Sequence, residues 1–185
     1  MEEKVNFVPE ISVGNEFIEE LDKAIKIVIE CFKFGGKVLV CGNGGSAADA
    51  QHMAAEMMVK YKKERKGLPC IALTTDTSIL TAWSNDHEFD TLFERQVETL
   101  GKKGDVLIGI STSGNSQNVI NAIYKAKEIS MRVIALLGNG GGKMKGKADI
   151  DIIIPSSDTP IIQVGHITAI HKICDTVEKW FVESE

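Results

Sequence analysis

No apolar run in this sequence approaches the ~18 residues that a membrane-spanning helix requires. The first residues, M-E-E-K-V-N-F, show neither the basic n-region nor the apolar h-region of a secretory signal, so a cytoplasmic protein is expected. Cysteine is scarce. Cys31, Cys41, Cys70 and Cys174 are widely spaced and form no C-x-x-C pair, which argues against a disulfide framework and against a thiolate zinc site. Cys41 and Cys70 lie in strand-like apolar runs, where a thiol acts as a small hydrophobe. Basic blocks are lacking too: the longest, K-K-E-R-K at 62–66, has only Tyr61 beside it, and the net charge is -5. A nucleic-acid surface is not indicated, and the run reads as a solvated loop. Internal repeats and low-complexity tracts are absent, although G-N-G-G occurs at Gly42 and again at Gly138, where it reads as a flexible turn.

What is present matches one ordinary globular domain: 185 residues, 43% hydrophobic and 25% charged. Phe17, Leu21, Ile25, Val28 and Phe32 recur at helical spacing, widened by Ile18, Ile27 and Ile29, so residues 14–34 read as an amphipathic helix ended by Gly35-Gly36. Five runs of strand character follow, at Lys37 to Cys41, Cys70 to Thr74, Asp105 to Ile110, Arg132 to Leu137 and Ile150 to Ile154. Helical patterns lie between and after them at 46–61, 77–100 (broken near Asn85-Asp86), 115–129 and 160–182. This alternation predicts an α/β fold, a three-layer αβα domain around a five-stranded, mostly parallel sheet with an added N-terminal helix. The segment 1–35 exceeds what one layer of that sheet needs and is expected to pack against copies of itself.

In such sheets ligands bind beyond the carboxyl ends of the strands. Three segments with chemical content stand there. Gly42-Asn43-Gly44-Gly45-Ser46-Ala47 fits G-x-G-x-x-A between a strand and a helix, a turn that aims backbone N–H groups at an anion. Asp76 is the available ribose partner, but it lies about 32 residues beyond Gly44 instead of the usual ~20, which makes a dinucleotide the second choice. Ser111-Thr112-Ser113-Gly114-Asn115-Ser116 offers four hydroxyls at a strand-to-helix turn, enough to wrap a phosphate; an ordinary N-cap explains one or two of them. His52 and Glu56 stand one helical turn apart among Ala47, Ala48, Ala50, Met53, Ala54, Ala55 and Met57, so both are expected to be partly buried. A buried carboxylate needs a partner, which a divalent metal or a second imidazole would supply. In the last helix Gln163, His166 and His171 share one broad side, and helical geometry does not choose between the two histidines.

Through C-G-N-G-G-S-A-A-D-A-Q-H-x-A-A-E, L-P-x-I-A-L-T-T-D-T-S, S-N-D, F-x-R-Q-V, G-D-V-L-I-G-I-S-T-S-G-N-S and I-Q-x-x-H-x-x-x-x-H, the chain resembles the phosphoheptose isomerases of the sugar-isomerase (SIS) superfamily. The resemblance runs from about Asn15 to Phe181. It implies interconversion of sedoheptulose 7-phosphate and D-glycero-D-manno-heptose 7-phosphate through a metal-stabilised enediolate, the first step toward ADP- or GDP-heptose precursors such as those of lipopolysaccharide. It further implies one zinc per subunit on His52, Glu56, Gln163 and His171, with Glu56 and His171 transferring protons. The phosphate would sit among Ser111, Thr112, Ser113 and Ser116, and the sugar near Asn43, Gly44, Gly45, Ser46, Asp86 and Gln163. The implied assembly is a homotetramer with sites between subunits, bound to neither nucleic acid nor membrane.

One departure is Val59-Lys60, where that family often has Gly-Arg; a Lys lacks the bidentate fork of Arg. The loop Ser157-Asp158-Thr159-Pro160 varies across the family. The alternatives are another sugar-phosphate isomerase and an adaptor of the same fold that binds the replication initiator DnaA. In such adaptors the positions of Glu56 and His171 carry other residues, and both are intact here.

Overall fold

Leu21, Ala24, Ile25, Val28, Cys31 and Phe32 form one buried stripe along helix α1 (Asn15–Lys33). Gly35, at φ +77°, ends the helix, and the N–H groups of Phe34, Gly35 and Gly36 donate to the carbonyls of Glu30, Phe32 and Cys31. The computed structural model describes residues 11–184, so the start of the predicted assembly segment and the stretch read for a secretory signal lie outside the described residues.

Strand β1 (Val38–Gly42) leads through the first glycine loop into α2 (Gly45–Met58), and β2 (Cys70–Ala72) into α3 (Thr77–Asp86), a 3-10 turn (Phe89–Thr91) and α4 (Leu92–Leu100). Next, β3 (Val106–Ser111) leads into α5 (Gln117–Glu128), and β4 (Arg132–Leu137) into a second 3-10 segment (Asn139–Met144) and β5 (Ile150–Ile153). Helix α6 (Thr159–Ser184) follows. The break expected in the 77–100 pattern falls at His87, whose N–H makes the last hydrogen bond of α3 to Trp83.

Every pairing in the five-stranded sheet is parallel, in the order β2-β1-β3-β4-β5. The central strands β1 and β3 are buried at each position, which is why they read as continuous apolar runs. Val40, Ile108, Ile110, Ile134, Leu136 and Ile152 face a core shared with α1, α2 and α6. Leu39, Leu107, Val133 and Leu137 face the opposite core, shared with α4 and α5. Each fully buried Leu, Ile or Val contributes up to about 1.5–3 kcal/mol, so these two layers hold the strand ends in place.

From β1 the chain runs outward to β2 and returns on the other side of β1 to β3. The topological switch point therefore lies between β1 and β3, and the loops at Gly42–Ser46 and Ser111–Ser116 flank the crevice there.

Candidate functional site

The first glycine loop is held from two directions. The amides of Asn43 and Asn118 exchange two hydrogen bonds of 2.9 Å, tying the loop to α5. Gln163 of α6 lies over Gly45, where a Cβ would come within 2.2 Å of Nε2; only glycine fits. Ser46 is buried beneath, and no side chain caps α2, which leaves its N-terminal N–H groups facing the crevice.

In the hydroxyl turn, Ser111 Oγ lies 2.9 Å from Ser116 Oγ and 3.5 Å from Ser113 Oγ, with Thr112 half-buried between them. Ser116 occupies the N-cap position of α5 yet makes no side-chain cap bond, so ordinary capping does not account for it. The hydroxyls and the first-turn N–H groups together form an anion site. Gly114, at φ +64°, abuts the second G-N-G-G segment: a Cβ there would stand 2.0 Å from the Gly141 carbonyl oxygen. Met144 N–H donates to Gly114 O (2.9 Å) and Lys143 N–H to Asn115 Oδ1 (3.1 Å). The second copy of the motif is thus a buttress for the hydroxyl turn and not the loose turn expected from its glycines.

A second centre forms where α2 packs on α6. His52 Nε2 is 3.1 Å from Glu56 Oε1, His171 Nε2 is 3.4 Å from His52 Nε2, and the donor atoms of all three lie within 4.8 Å of one another. Contrary to the expected burial, the His52 side chain is 43% exposed; that of Glu56 is 22% exposed. Burial pushes the His171 imidazole below the ordinary histidine value; His52 and Lys62 push the same way, and Glu56 opposes them. A neutral ring, able to act as a ligand or base, follows at neutral pH. Asp49 adds a half-buried carboxylate whose Oδ2 makes no hydrogen bond; burial raises its carboxyl and His52 opposes that shift. Its i, i+3 spacing to His52 is the sequence signal that points to it.

The structure decides between the two histidines of α6. His166 is fully buried, neither ring nitrogen is hydrogen-bonded, and burial pushes it down to about 4, with the nearby Leu137 backbone opposing. It is a core residue.

Three further expectations change. Asp76 is the N-cap of α3, accepting from Ser78 N and Ile79 N at 3.0 Å each, and does not serve as a ribose partner. The run 62–66 is not uniformly solvated, because Arg65 turns inward onto Glu178 with a side chain only 1% exposed. Lys60, at the departure from the family pattern, is engaged by Glu64. Two predicted site residues stand apart from the His-Glu-His centre. Gln163 lies at the start of α2, about 10 Å of helix rise before His52. Asp86 is exposed at the end of α3, where it accepts from Asn85 Nδ2 at 2.7 Å.

A glycine loop and an anion-binding hydroxyl turn at the switch point of a parallel sheet, with a His-Glu-His centre nearby, define a sugar-isomerase-type domain, and the family described as SIS domain matches residues 12–138. A phosphoheptose isomerase of Aliarcobacter butzleri is 58% identical over 160 residues, 86% of this chain and 85% of the relative. The solved structure of the phosphoheptose isomerase of Neisseria gonorrhoeae is similar at a TM-score of 0.82 and 48% identity, covering 88% of this chain and 87% of its own. That from Francisella tularensis gives a TM-score of 0.84 at 38% identity, covering 87% and 86%. The chain belongs to the phosphoheptose isomerase family and is an isomerase.

Proposed function

We propose that the chain interconverts sedoheptulose 7-phosphate and D-glycero-D-manno-heptose 7-phosphate, the first step toward nucleotide-activated heptose. The convergence of His52, Glu56 and His171 within 4.8 Å carries this reading. An aldose–ketose isomerase moves one proton between adjacent carbons and another between their oxygens, so it needs two groups of different basicity close together. Glu56 takes the carbon-bound proton, and His171, kept neutral, relays the proton between the oxygens.

The same donors fit a zinc ion, because one carboxylate and two imidazoles leave a position open for substrate. Gln163 is the fourth donor in this reading, its carboxamide turning away from Gly45 to reach the ion. Zinc, when bound, supplies Lewis-acid stabilisation of developing negative charge. Ser111, Thr112, Ser113 and Ser116 hold the phosphate, while Asn43, Gly44, Gly45 and Ser46 line the sugar.

The reading includes a homotetramer of single SIS domains with sites between subunits. Glu56 lies ten residues beyond Ser46, about 15 Å of helix rise, so a phosphate at the sheet edge and a carbon at Glu56 fit best when two chains share one substrate. Asp86 then reaches the sugar bound by a neighbour, and Ile79 (41% exposed) and Phe89 (54%) are covered by it. The enzyme acts in the cytoplasm; no described helix is long and apolar enough to cross a membrane.

The test is turnover of sedoheptulose 7-phosphate by the zinc-loaded protein, before and after chelation, beside His171→Ala and His166→Ala. Loss of turnover and weaker metal retention are expected for His171→Ala, and lowered stability with chemistry retained for His166→Ala. A wild-type protein that turns over no sugar phosphate yet binds DnaA would establish the adaptor instead.

A further inference from the structure

Arg65 and Glu178 form an ion pair whose side chains are 1% and 2% exposed, with Nε 3.3 Å from Oε1. Glu178 stands about two turns beyond His171 on the same side of α6. Its carboxylate accepts the backbone N–H groups of Tyr61 (2.7 Å), Lys62 (2.7 Å) and Lys63 (2.9 Å). Burial pushes the Glu178 carboxyl up, but these donors and Arg65 outweigh it and hold the group below the ordinary glutamate value. The guanidinium in turn donates to the carbonyls of Glu56 (2.8 Å), Met57 (2.8 Å) and Lys66 (3.0 Å). A cation therefore faces the negative end of the α2 dipole and touches the backbone of Glu56 itself. The strapped loop also carries Tyr61, whose ring centroid lies 5.6 Å from that of His171 at an interplanar angle of 38°.

Stability alone explains such a pair poorly, since withdrawing two charges from water costs as much as their attraction returns, and a well-packed apolar pair does as well or better. Its connections explain it. We propose that Arg65 and Glu178 are positioning residues for the His52–Glu56–His171 centre. They lock the last turn of α2 to α6, set the separation of Glu56 from His171, and hold Tyr61 as a wall against the His171 ring. The kinetic part of this inference rests on the isomerase reading; the metal-binding part does not depend on any substrate.

The experiment compares wild type with Arg65→Lys, which keeps the charge but loses the fork, and Glu178→Gln, which keeps the shape but presents an amide to N–H donors. Circular dichroism reports folding, and visible absorption of added cobalt(II) reports metal affinity with no substrate present. Steady-state kinetics then separates kcat from KM. Folded variants should lose about 10–100-fold in cobalt affinity and in kcat. KM should stay near the wild-type value, because the hydroxyl turn is built on β3 and α5. If either variant fails to fold, Tyr61→Leu, which leaves the ion pair intact, should show an unchanged melt with lowered kcat. Folded Arg65→Lys and Glu178→Gln with wild-type cobalt affinity and kcat would overturn the inference. A wild-type protein that binds cobalt more tightly than the variants but isomerises nothing would refute the isomerase reading while supporting the positioning role.

Discussion

The Nε2 atoms of His52 and His171 lie 3.4 Å apart although 119 residues separate them in the chain. Two imidazole nitrogens meet at that distance only if at least one presents a lone pair, so a cation or a shared proton suits the gap between them. Glu56, one turn from His52 on α2, supplies the negative charge. This centre and the hydroxyl turn can be separated experimentally.

Glu56→Gln should lower kcat by about 10²- to 10⁴-fold while sugar-phosphate binding persists, because the amide keeps the size but cannot accept a carbon-bound proton. Deuterium incorporation from solvent into recovered substrate measures that step. Exchange at the wild-type rate would remove Glu56 from the role of base.

Ser113→Ala combined with Ser116→Ala should raise KM by about tenfold or more, since a hydrogen bond to a charged group is worth about 1.5–3 kcal/mol. Inhibition by free phosphate should weaken in parallel. Thermal stability should change little, because Ser116 does not cap α5. A lowered melting temperature with an unchanged KM would mean that the turn is structural.

Gly114→Ala and Gly140→Ala form a matched pair. Both glycines have positive φ, +64° and +70°, but a Cβ at 114 would strike Gly141 O whereas nothing lies within 4 Å of one at 140. Gly140→Ala should cost only the left-handed strain, about 1–2 kcal/mol. Gly114→Ala should cost more and also raise KM by displacing the buttress, which urea unfolding and kinetics would show. Equal costs with no effect on KM would disprove the buttress.

Buried, neutral His166 makes stability depend on pH. Its folded value, about 4, lies below the unfolded value of 6.5, so its contribution is complete above pH 6.5 and is lost as the pH falls from there toward 4. Between pH 6.5 and 5 the loss is of order 2 kcal/mol, at 1.36 kcal/mol per unit. Urea unfolding of wild type and His166→Met at pH 7 and pH 5 isolates it: the wild type should lose more stability than the variant. Parallel losses would show that His166 does not titrate between the two states.

The strands and both sheet-edge loops were legible because a parallel sheet buried on two faces writes itself as apolar runs, and its ligand loops must follow their carboxyl ends. The pairing of His52 with Glu56 was legible from helical spacing. The choice of His171 over His166 was not, since both flank Gln163 on one helix and only the packing of α6 against α2 separates them. Residues that work through distant partners left no local mark: Arg65 reads as one charge in a basic run until Glu178 faces it. The buttress at Gly138 was hidden for the same reason, because its partner is the turn at Gly114.

The sheet order also governs the newborn chain. Helix α1 packs against β3, β5 and α6, all synthesised long after it. Until those elements arrive, Leu21, Ile25, Val28 and Phe32 have nothing to cover them, and the loop-closure entropy of distant parallel pairings must be met before any contact rewards it. A half-made chain therefore shows water a greasy helix that invites aggregation or a chaperone, and shielding it until residues 159–184 emerge sets the yield of active protein.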